Sequence, residues 1–249
     1  MQKSFFKAFT LAEVLITLGI IGIVAALTIP QFIANYKEKV FVTKAKRSFN
    51  TMTNALTNYN TKNGSLGDFS SLFINYENAT ELNNNFASEL NAIKVCNENV
   101  NQCGGPYKAR QYKKLNDGKG HTQEISGNMN SNRIIMNDGS FVSLRNLTEN
   151  GNCIHTYLSN YTDENGNYIP DSTSPTGYKS YIGTSDSCGV IYIDTNGMQP
   201  PNQTGIDFFW IRVTSEKTIP STSYSEGGLG YILKYDKLIP TENYTIGDY

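Results

Sequence analysis

The feature that most constrains this chain is an apolar stretch near its N-terminus. Residues 9–29 contain a single charged side chain, Glu13, among 21 positions. As an α-helix the stretch is about 32 Å long, enough to cross the roughly 30 Å hydrocarbon core of a bilayer. A carboxylate at the centre of such a helix costs about 3 kcal/mol on insertion scales, and somewhat less near its end. The stretch therefore predicts a membrane segment. Because a carboxylate there is costly, the presence of Glu13 indicates that its charge has a function.

Three kinds of segment fit this stretch. A cleaved secretory signal peptide would use Lys3 and Lys7 as its basic start and the Val-Ala-Ala at 24–26 as its cut site. A plain transmembrane anchor requires only the length. The third kind is a membrane segment that uses Glu13, and it alone explains why a carboxylate lies there.

Residues 7–16 read Lys-Ala-Phe-Thr-Leu-Ala-Glu-Val-Leu-Ile and lead into an apolar run that ends at Pro30. This segment resembles the class III signal of type IV pilins and type II secretion pseudopilins. In that family a membrane peptidase cuts before the Phe and methylates the new terminus, which implies cleavage between Ala8 and Phe9 and N-methylation of Phe9. Ala8 stands where the family usually has glycine. Glu13 becomes the fifth mature residue and Pro30 the twenty-second, positions at which the family has these residue types.

The resemblance gives Glu13 and the new terminus a shared role in assembly. After cleavage the amine of Phe9 is a second charge within lipid, and Glu13 of one subunit can pair with the Phe9 amine of its neighbour. Both desolvation costs fall only when subunits assemble in register, so we expect the pair to specify assembly. The alternative is a Glu13 side chain that only snorkels to the membrane interface.

The resemblance implies a structural subunit that is not an enzyme. Its implied partners are prepilin peptidase, other pilin or pseudopilin subunits, an inner-membrane assembly platform and membrane lipid. The subunit would span the bacterial inner membrane with its N-terminus in the cytoplasm and then join a type IV pilus or a type II secretion pseudopilus in the periplasm or outside the cell. Two alternatives stay open: a secreted or anchored binding domain or enzyme that the N-terminal segment delivers, and a DNA-uptake minor pilin.

The residues that follow the membrane segment predict an α+β fold. Pro30 lacks a backbone donor and predicts a kink or a local break in the helix. Apolar side chains then recur at helical spacing until Asn63 and Gly64 end the run; they are Val42, Ala45, Phe49, Met52, Leu56 and Tyr59. We expect one long helix whose amphipathic second half packs on an antiparallel β-sheet, which is also the architecture that the resemblance implies. The predicted parts are a leader (1–8), an assembly helix (9–29), an amphipathic helix (30–62) and a loop-rich globular domain (63–249).

Strand signals concentrate in the second half of the chain. The predicted strands cover residues 133–136, 140–144, 189–193, 206–213 and 231–235, the last as an edge strand. The Asn-Asp-Gly at 137–139 predicts a hairpin turn, because Asp-Gly tolerates positive φ. Residues 65–90 predict a short helix with loops. Residues 194–209 also resemble a C-terminal signature of some bacterial pseudopilin-like proteins, through Asp-Thr-Asn-Gly at 194–197, Pro201-Asn202, Gly205 and Asp-Phe-Phe at 207–209.

The net charge of −1 is the sum of two unlike parts, +5 over residues 1–50 and −6 over the remainder. Basic side chains follow the membrane segment at Lys37, Lys39, Lys44, Lys46 and Arg47, so a count of flanking charges would orient the segment opposite to the family. Residues 107–114 interleave tyrosines with Lys108, Arg110, Lys113 and Lys114, a pattern typical of nucleic-acid contacts. Because the rest of the domain is acidic, DNA is not an expected partner.

Four cysteines, Cys96, Cys103, Cys153 and Cys188, are predicted to form disulfides because the resemblance places the domain outside the cytoplasm. Of the three pairings, we expect Cys96–Cys103 and Cys153–Cys188, since both close local loops. Free thiols and a metal site are the alternatives. The spacings do not offer the close ligand pairs of a zinc site.

No cofactor is expected, with calcium as the one alternative. Two loops gather the oxygen ligands that calcium prefers; they contain Asp163, Glu164, Asn165 and Asn167, and Asp194, Asn196 and Asp207. Neither loop matches the twelve-residue calcium pattern. Some pseudopilins bind calcium in a C-terminal loop, which the resemblance allows at the second loop; the alternative is side chains that stabilise turns. His121 and His155 lie in polar, loop-like sequence, and no catalytic motif accompanies them.

Overall fold

The computed structural model describes residues 10–97, 99–114, 120–161, 163, 168–221 and 228–239, with the backbone alone for residues 112–114 and 120–123. The predicted cleavage site at Ala8 and Phe9 lies outside the described residues. So do residues 164–167 of the first oxygen-rich loop and the side chain of His121. These predictions stay predictions.

The longest element is helix α1, Leu11–Lys62, which has 52 residues and runs unbroken through Pro30. At 1.5 Å per residue it is about 78 Å long. Of the kink or local break predicted at Pro30, the break is therefore wrong, and the kink stays a prediction. Proline removes one hydrogen bond, the bond to the carbonyl of Ala26, and the turns on either side keep theirs. The helix ends at the predicted place, where the backbone N–H of Asn63 donates to the carbonyl of Tyr59.

The remaining elements are helices α2 (Ser71–Ile74), α3 (Ala79–Ser88) and α4 (Leu229–Tyr235), a 3-10 turn (Val100–Cys103), and strands β1 (Ala92–Asn97), β2 (Ala109–Lys114), β3 (Gly120–Ile125), β4 (Asn132–Met136), β5 (Phe141–Asn146), β6 (Ile154–Asn160), β7 (Ser180–Asp186), β8 (Gly189–Asp194), β9 (Phe208–Val213) and β10 (Thr218–Pro220). Six strands form one antiparallel sheet in the order β1-β4-β5-β8-β9-β10. The pairs β2–β3 and β6–β7 form two separate two-stranded sheets. The long helix and this sheet give the predicted α+β architecture.

The second half of α1 packs on the sheet through the predicted stripe. Val42, Met52 and Leu56 are buried in the main core, and Phe49 and Tyr59 pack against it while half-buried. The same core contains Phe73 of α2, Phe86 of α3 and Ile134, Val142 and Ile191 of the sheet, all fully buried or nearly so. Helices α1, α2 and α3 thus pack on the same face of the sheet, where α4 joins them.

The opposite face of the sheet carries a smaller core. Its members are Tyr107, Ala109, Met129, Phe141 and Phe208, with Ile125, Tyr192 and Trp210 packed against them. Ala109 belongs to β2 and Ile125 to β3, so this two-stranded sheet covers part of the second face. Apolar side chains therefore alternate between two cores, which accounts for the strong burial of the central strands.

The predicted hairpin strands are confirmed, and the predicted edge strand is wrong. β4 and β5 pair across a turn in which Gly139 has a φ of +84°, and β8 pairs with β9. Residues 229–235, which include the expected strand at 231–235, form helix α4 instead. Leu229 and Ile232, three residues apart, are both buried in the main core. Packing against α1 decides the conformation of this short segment.

Both disulfides form with the predicted pairing. Cys96–Cys103 joins β1 to the 3-10 turn. Cys153–Cys188 joins the residue before β6 to the residue before β8, and thereby ties the separate β6–β7 sheet to the main sheet. The described residues contain no free cysteine.

Removal of each disulfide should destabilise the protein by an amount that follows loop length. The Cys153–Cys188 bond spans 35 positions and the Cys96–Cys103 bond spans 7, so loop-closure entropy predicts losses of about 4 and about 2.5 kcal/mol. Urea unfolding of the two double Cys→Ser variants, followed by Trp210 fluorescence, measures the difference. An equal loss, or a larger loss for the shorter loop, would contradict the entropic account.

Candidate assembly surface

The first half of α1 has no cover within the described chain. None of its most apolar 18-residue window is buried, and the mean hydropathy of that window is 2.3. Leu11, Leu27 and Phe32 are each more than 70% exposed. Exposed apolar residues also occur consecutively, as at 14–16 and 20–21, so they surround the helix instead of forming one stripe. A helix apolar on all sides requires an apolar environment, and this one is long and apolar enough to cross a membrane.

The uncovered apolar surface matches the thickness of a bilayer. It extends from Leu11 to Ile33, a length of about 33 Å against a hydrocarbon core of roughly 30 Å. Tyr36, 62% exposed, and the exposed Lys37 follow it directly. Tyrosine and lysine are residue types that favour the membrane–water interface. The apolar surface thus continues one helical turn beyond Ile29, where the sequence prediction ended it.

Glu13 forms a capping box at the start of α1 with Thr10. The backbone N–H and the hydroxyl of Thr10 both donate to Oε2 of Glu13 at 2.8 Å, and the N–H of Glu13 donates to the Thr10 hydroxyl at 3.3 Å. This reciprocal arrangement satisfies two donors that a helix start leaves open. It also holds the carboxylate at the start of the helix against Thr10, the residue that follows the predicted new terminus in the sequence. Thr10 was not predicted as a site residue, although Thr-x-x-Glu spacing is the sequence signature of this cap.

The structure brings together the three residues of the second oxygen-rich loop. The carboxylate oxygens of Asp194 and Asp207 face protein donors, whereas Oδ1 of Asn196 is buried without a hydrogen-bond partner. Asp194 Oδ1 accepts from the N–H of Asn196 at 3.0 Å, and Oδ2 accepts from the hydroxyl of Tyr107. Asp207 accepts from two backbone N–H groups, those of residues 202 and 203, at 2.9 and 2.6 Å. A bound calcium ion would need the same oxygen lone pairs that these N–H and O–H donors already use. The contacts favour the alternative in which the side chains stabilise turns, and the described part of the chain holds no cluster of three His, Cys, Asp or Glu residues suited to a metal.

Asp194 and Asp207 are buried close to each other and to one cation. Both are fully buried, and burial raises the pKa of Asp207 to about 7. Burial, followed by repulsion from Asp207, places the pKa of Asp194 well above its usual range. Arg133, also fully buried, lies over the Phe141 ring at 4.7 Å and interacts with Asp194. One guanidinium balances one of the two carboxylates, so the pair retains a proton toward neutral pH.

The first tyrosine of the aromatic and basic strip at 107–114 does not lie at the surface. Tyr107 is fully buried in the smaller core, and Lys108 forms an ion pair with Glu124 at 2.8 Å. Arg110 is exposed, and the side chains of residues 112–114 lie outside the described residues. Among the described side chains, the strip offers no exposed tyrosine on which a base could stack.

Described residues of the globular domain line at least two open clefts. One, of about 500 Å³, lies between α2 and the start of β6, and Asp186 is the titratable side chain among its described lining residues. The other, of about 570 Å³, is lined by amide and hydroxyl side chains of α3, β1 and β4 and adjacent residues, and none of its described lining residues is titratable. His155 lies in neither cleft; its Nδ1 is 3.6 Å from Oε1 of Glu149. The described residues that line these clefts therefore do not combine a histidine with a nucleophile.

No protein-family model, no curated protein and no solved structure matches this chain. The architecture, a long helix with an apolar first half and a second half packed on an antiparallel sheet, is compatible with a pilin-like fold.

The substitution Asp207→Asn should reduce the pH dependence of stability. With the pKa of Asp207 raised to about 7, the folded state binds a proton that the unfolded state releases from about pH 4 upward. The free energy of unfolding therefore falls as the pH rises from about 4 to about 7, by up to about 1.4 kcal/mol per pH unit for one proton. Asparagine does not ionise, so urea unfolding across this pH range should show a smaller slope.

The exposed Asp186→Asn variant is the control and should keep the slope of the wild-type protein. An unchanged slope in Asp207→Asn would show that the buried pair does not titrate in this range.

Proposed function

We propose that this protein is a pilin or pseudopilin, a structural subunit that prepilin peptidase processes and that assembles through α1 into a type IV pilus or a type II secretion pseudopilus. The observation that carries the proposal is the division of α1. Its first half has no cover within the described chain, and its second half is fixed to the globular domain through Val42, Met52 and Leu56.

The uncovered half requires an apolar partner. Fourteen large apolar side chains between Leu11 and Tyr36 are exposed. At about 1.5–3 kcal/mol for each such side chain, covering them is worth on the order of 20–40 kcal/mol. Lipid supplies this cover to a single subunit, and identical helices would supply it in a filament. Because both environments are apolar, a subunit can pass from one to the other without exposing this surface to water.

The Glu13 carboxylate would select one axial register among the packed apolar helices. Apolar packing alone is compatible with many axial positions, because Leu and Ile side chains tolerate sliding past one another. A charge pair between Glu13 and the Phe9 amine of a neighbour would be satisfied at one position only. In the single subunit, Thr10 satisfies the Glu13 carboxylate through the capping box. We propose that assembly adds the amine of the neighbour to this site.

The disulfides support the proposed orientation in the membrane. Disulfides persist in oxidising compartments and are rare in the cytoplasm. Cys96–Cys103 and Cys153–Cys188 both lie in the part of the chain after α1. A globular domain outside the cytoplasm places the N-terminus of α1 on the cytoplasmic side, where prepilin peptidase acts in the family that the sequence resembles.

N-terminal sequencing of the protein from a host with prepilin peptidase tests the proposed processing. We expect the mature chain to begin at Phe9 with a methylated amine. In a host without the peptidase, the chain should keep residues 1–8. A mature chain that begins at Leu27 would instead show ordinary signal-peptide cleavage and would contradict the proposal.

The variant Glu13→Ala should insert into the membrane and fail to assemble. Removing the carboxylate favours insertion by up to about 3 kcal/mol, but it also removes the pair that specifies register. Carbonate-resistant membrane association measures insertion, and the yield of sheared or pelleted filaments measures assembly. We expect at least a tenfold loss of incorporated subunit, since even 1.4 kcal/mol per subunit interface corresponds to a factor of about ten.

Glu216→Ala, at an exposed position of the globular domain, is the matched control and should assemble normally. Glu13→Gln separates the charge from the size of the side chain and should behave like Glu13→Ala. Normal filament yield from both Glu13 variants would remove the proposed role of the carboxylate.

A further inference from the structure

The fold gathers basic side chains from two distant parts of the chain just beyond the uncovered half of α1. We call this group the basic collar; it consists of Lys37, Lys39, Lys44, Lys46 and Arg47 of α1 and of Lys234 and Lys237 at the end of α4. Nearly 200 residues separate its two parts, so the sequence gives no sign that they meet.

Two contacts fix the end of α4 beside α1. Lys46 Nζ lies 2.6 Å from Oδ1 of Asp236, and the backbone N–H of Leu238 donates to Oε1 of Glu38 at 3.2 Å. Leu238 itself is buried in the main core. Residues 236–238 therefore lie along the same stretch of α1 as residues 38–46.

The basic collar has a strong positive charge in an otherwise acidic protein. Among the described residues, two acids, Glu38 and Asp236, are shown in direct contact with this region, and its seven bases exceed them by five charges. Since the whole chain has a net charge of −1, everything outside this region sums to −6. Lys37, Lys39, Arg47, Lys234 and Lys237 are all exposed. Lys234 lies over the ring of Tyr235, with 4.9 Å between Nζ and the ring centroid.

The start of the basic collar along α1 corresponds to the lipid headgroups. Lys37 and Lys39 follow Ile33, the last exposed apolar residue of the span, by about 6 and 9 Å. The polar zone of one leaflet is roughly 5–8 Å thick, and a charge acts over about 8 Å beyond it at physiological salt. Tyr36 and Tyr235, 62% and 51% exposed, accompany the lysines. Tyrosine next to lysine is typical of the membrane interface.

We propose that the basic collar binds anionic phospholipid headgroups and holds the globular domain against the membrane before assembly. Two observations select a lipid surface as the partner. The collar begins where the apolar surface ends, and its charge complements anionic lipid while the rest of the protein would be repelled by it. The proposal rests on membrane insertion of α1, as in the proposed function, and it adds a second membrane contact made by residues near the end of the chain.

The single tryptophan of the chain, Trp210, permits a direct test. The full chain is reconstituted in vesicles of phosphatidylcholine alone or of an equal mixture with phosphatidylglycerol, each with a dansyl-labelled headgroup lipid. Energy transfer from Trp210 to the headgroups reports how close the globular domain lies. We expect more transfer in the anionic vesicles and a return to the phosphatidylcholine level at high salt.

The matched variants are Lys237→Glu and Lys217→Glu, which change the charge equally at two exposed lysines. Lys217 adjoins Thr218, whose hydroxyl is 3.3 Å from that of Thr53, about 21 Å further along α1 than Lys39. At roughly 1 kcal/mol for each charge near an anionic surface, reversal of one charge should lower the ratio of docked to undocked domains by about 30-fold for Lys237→Glu. The same reversal should have little effect for Lys217→Glu.

Equal transfer in neutral and anionic vesicles, or equal effects of the two variants, would overturn the proposal. Carbonate extraction of the same vesicles distinguishes this outcome from failure of the proposed function. Loss of membrane association would contradict insertion of α1, whereas retained association with unchanged transfer would contradict the basic collar alone.

Discussion

The apolar first half of α1 needs cover that the described chain does not supply, and this requirement organises the rest of the structure. A helix that is apolar on all sides has no stable position in water. The same helix continues without interruption into an amphipathic half that packs on the sheet. Because the two halves form one element, whatever covers the first half also positions the globular domain. Membrane anchoring and filament assembly would then be two uses of one surface.

Disulfides and a buried polar network supplement the two apolar cores of the globular domain. Two disulfides close loops of different length, and the buried group of Tyr107, Arg133, Asp194 and Asp207 connects the smaller core to the loop before β9. Charges that are buried together stabilise little in free energy, but they penalise alternative arrangements in which one partner is missing. Such a network suits a domain rich in loops, where apolar packing alone specifies less.

Much of the fold could be predicted from local patterns. The stripe from Val42 to Tyr59, the hairpin around Gly139 and both disulfide pairings depend on residues close in sequence, and all are confirmed. The strand predicted at residues 231–235 is wrong, because burial of Leu229 and Ile232 against distant elements decides the conformation of this segment. The break expected at Pro30 is absent because neighbouring turns support one missing hydrogen bond.

The same difference between local patterns and long-range contacts holds for the candidate site. Glu13 stands out in the sequence because a carboxylate in an apolar run is costly, whereas its partner Thr10 became visible only with the capping geometry. The five bases of the collar on α1 are visible in the sequence as a run after the apolar segment. Their meeting with Lys234 and Lys237 could not be predicted, since it depends on contacts of Glu38 and Lys46 with residues near 237. Local chemistry is readable from sequence, and long-range juxtaposition is not.

Cross-linking within the apolar half of α1 tests the central claim most directly. Leu18 is 60% exposed in the single chain, and the disulfides leave no free thiol among the described cysteines to compete with a new one. In cells that assemble filaments, a membrane-permeant bifunctional thiol reagent should convert the Leu18→Cys variant into covalent dimers. Cells without the assembly ATPase should yield monomers. Monomers in both cells would show that identical subunits do not cover this surface, and would contradict the account.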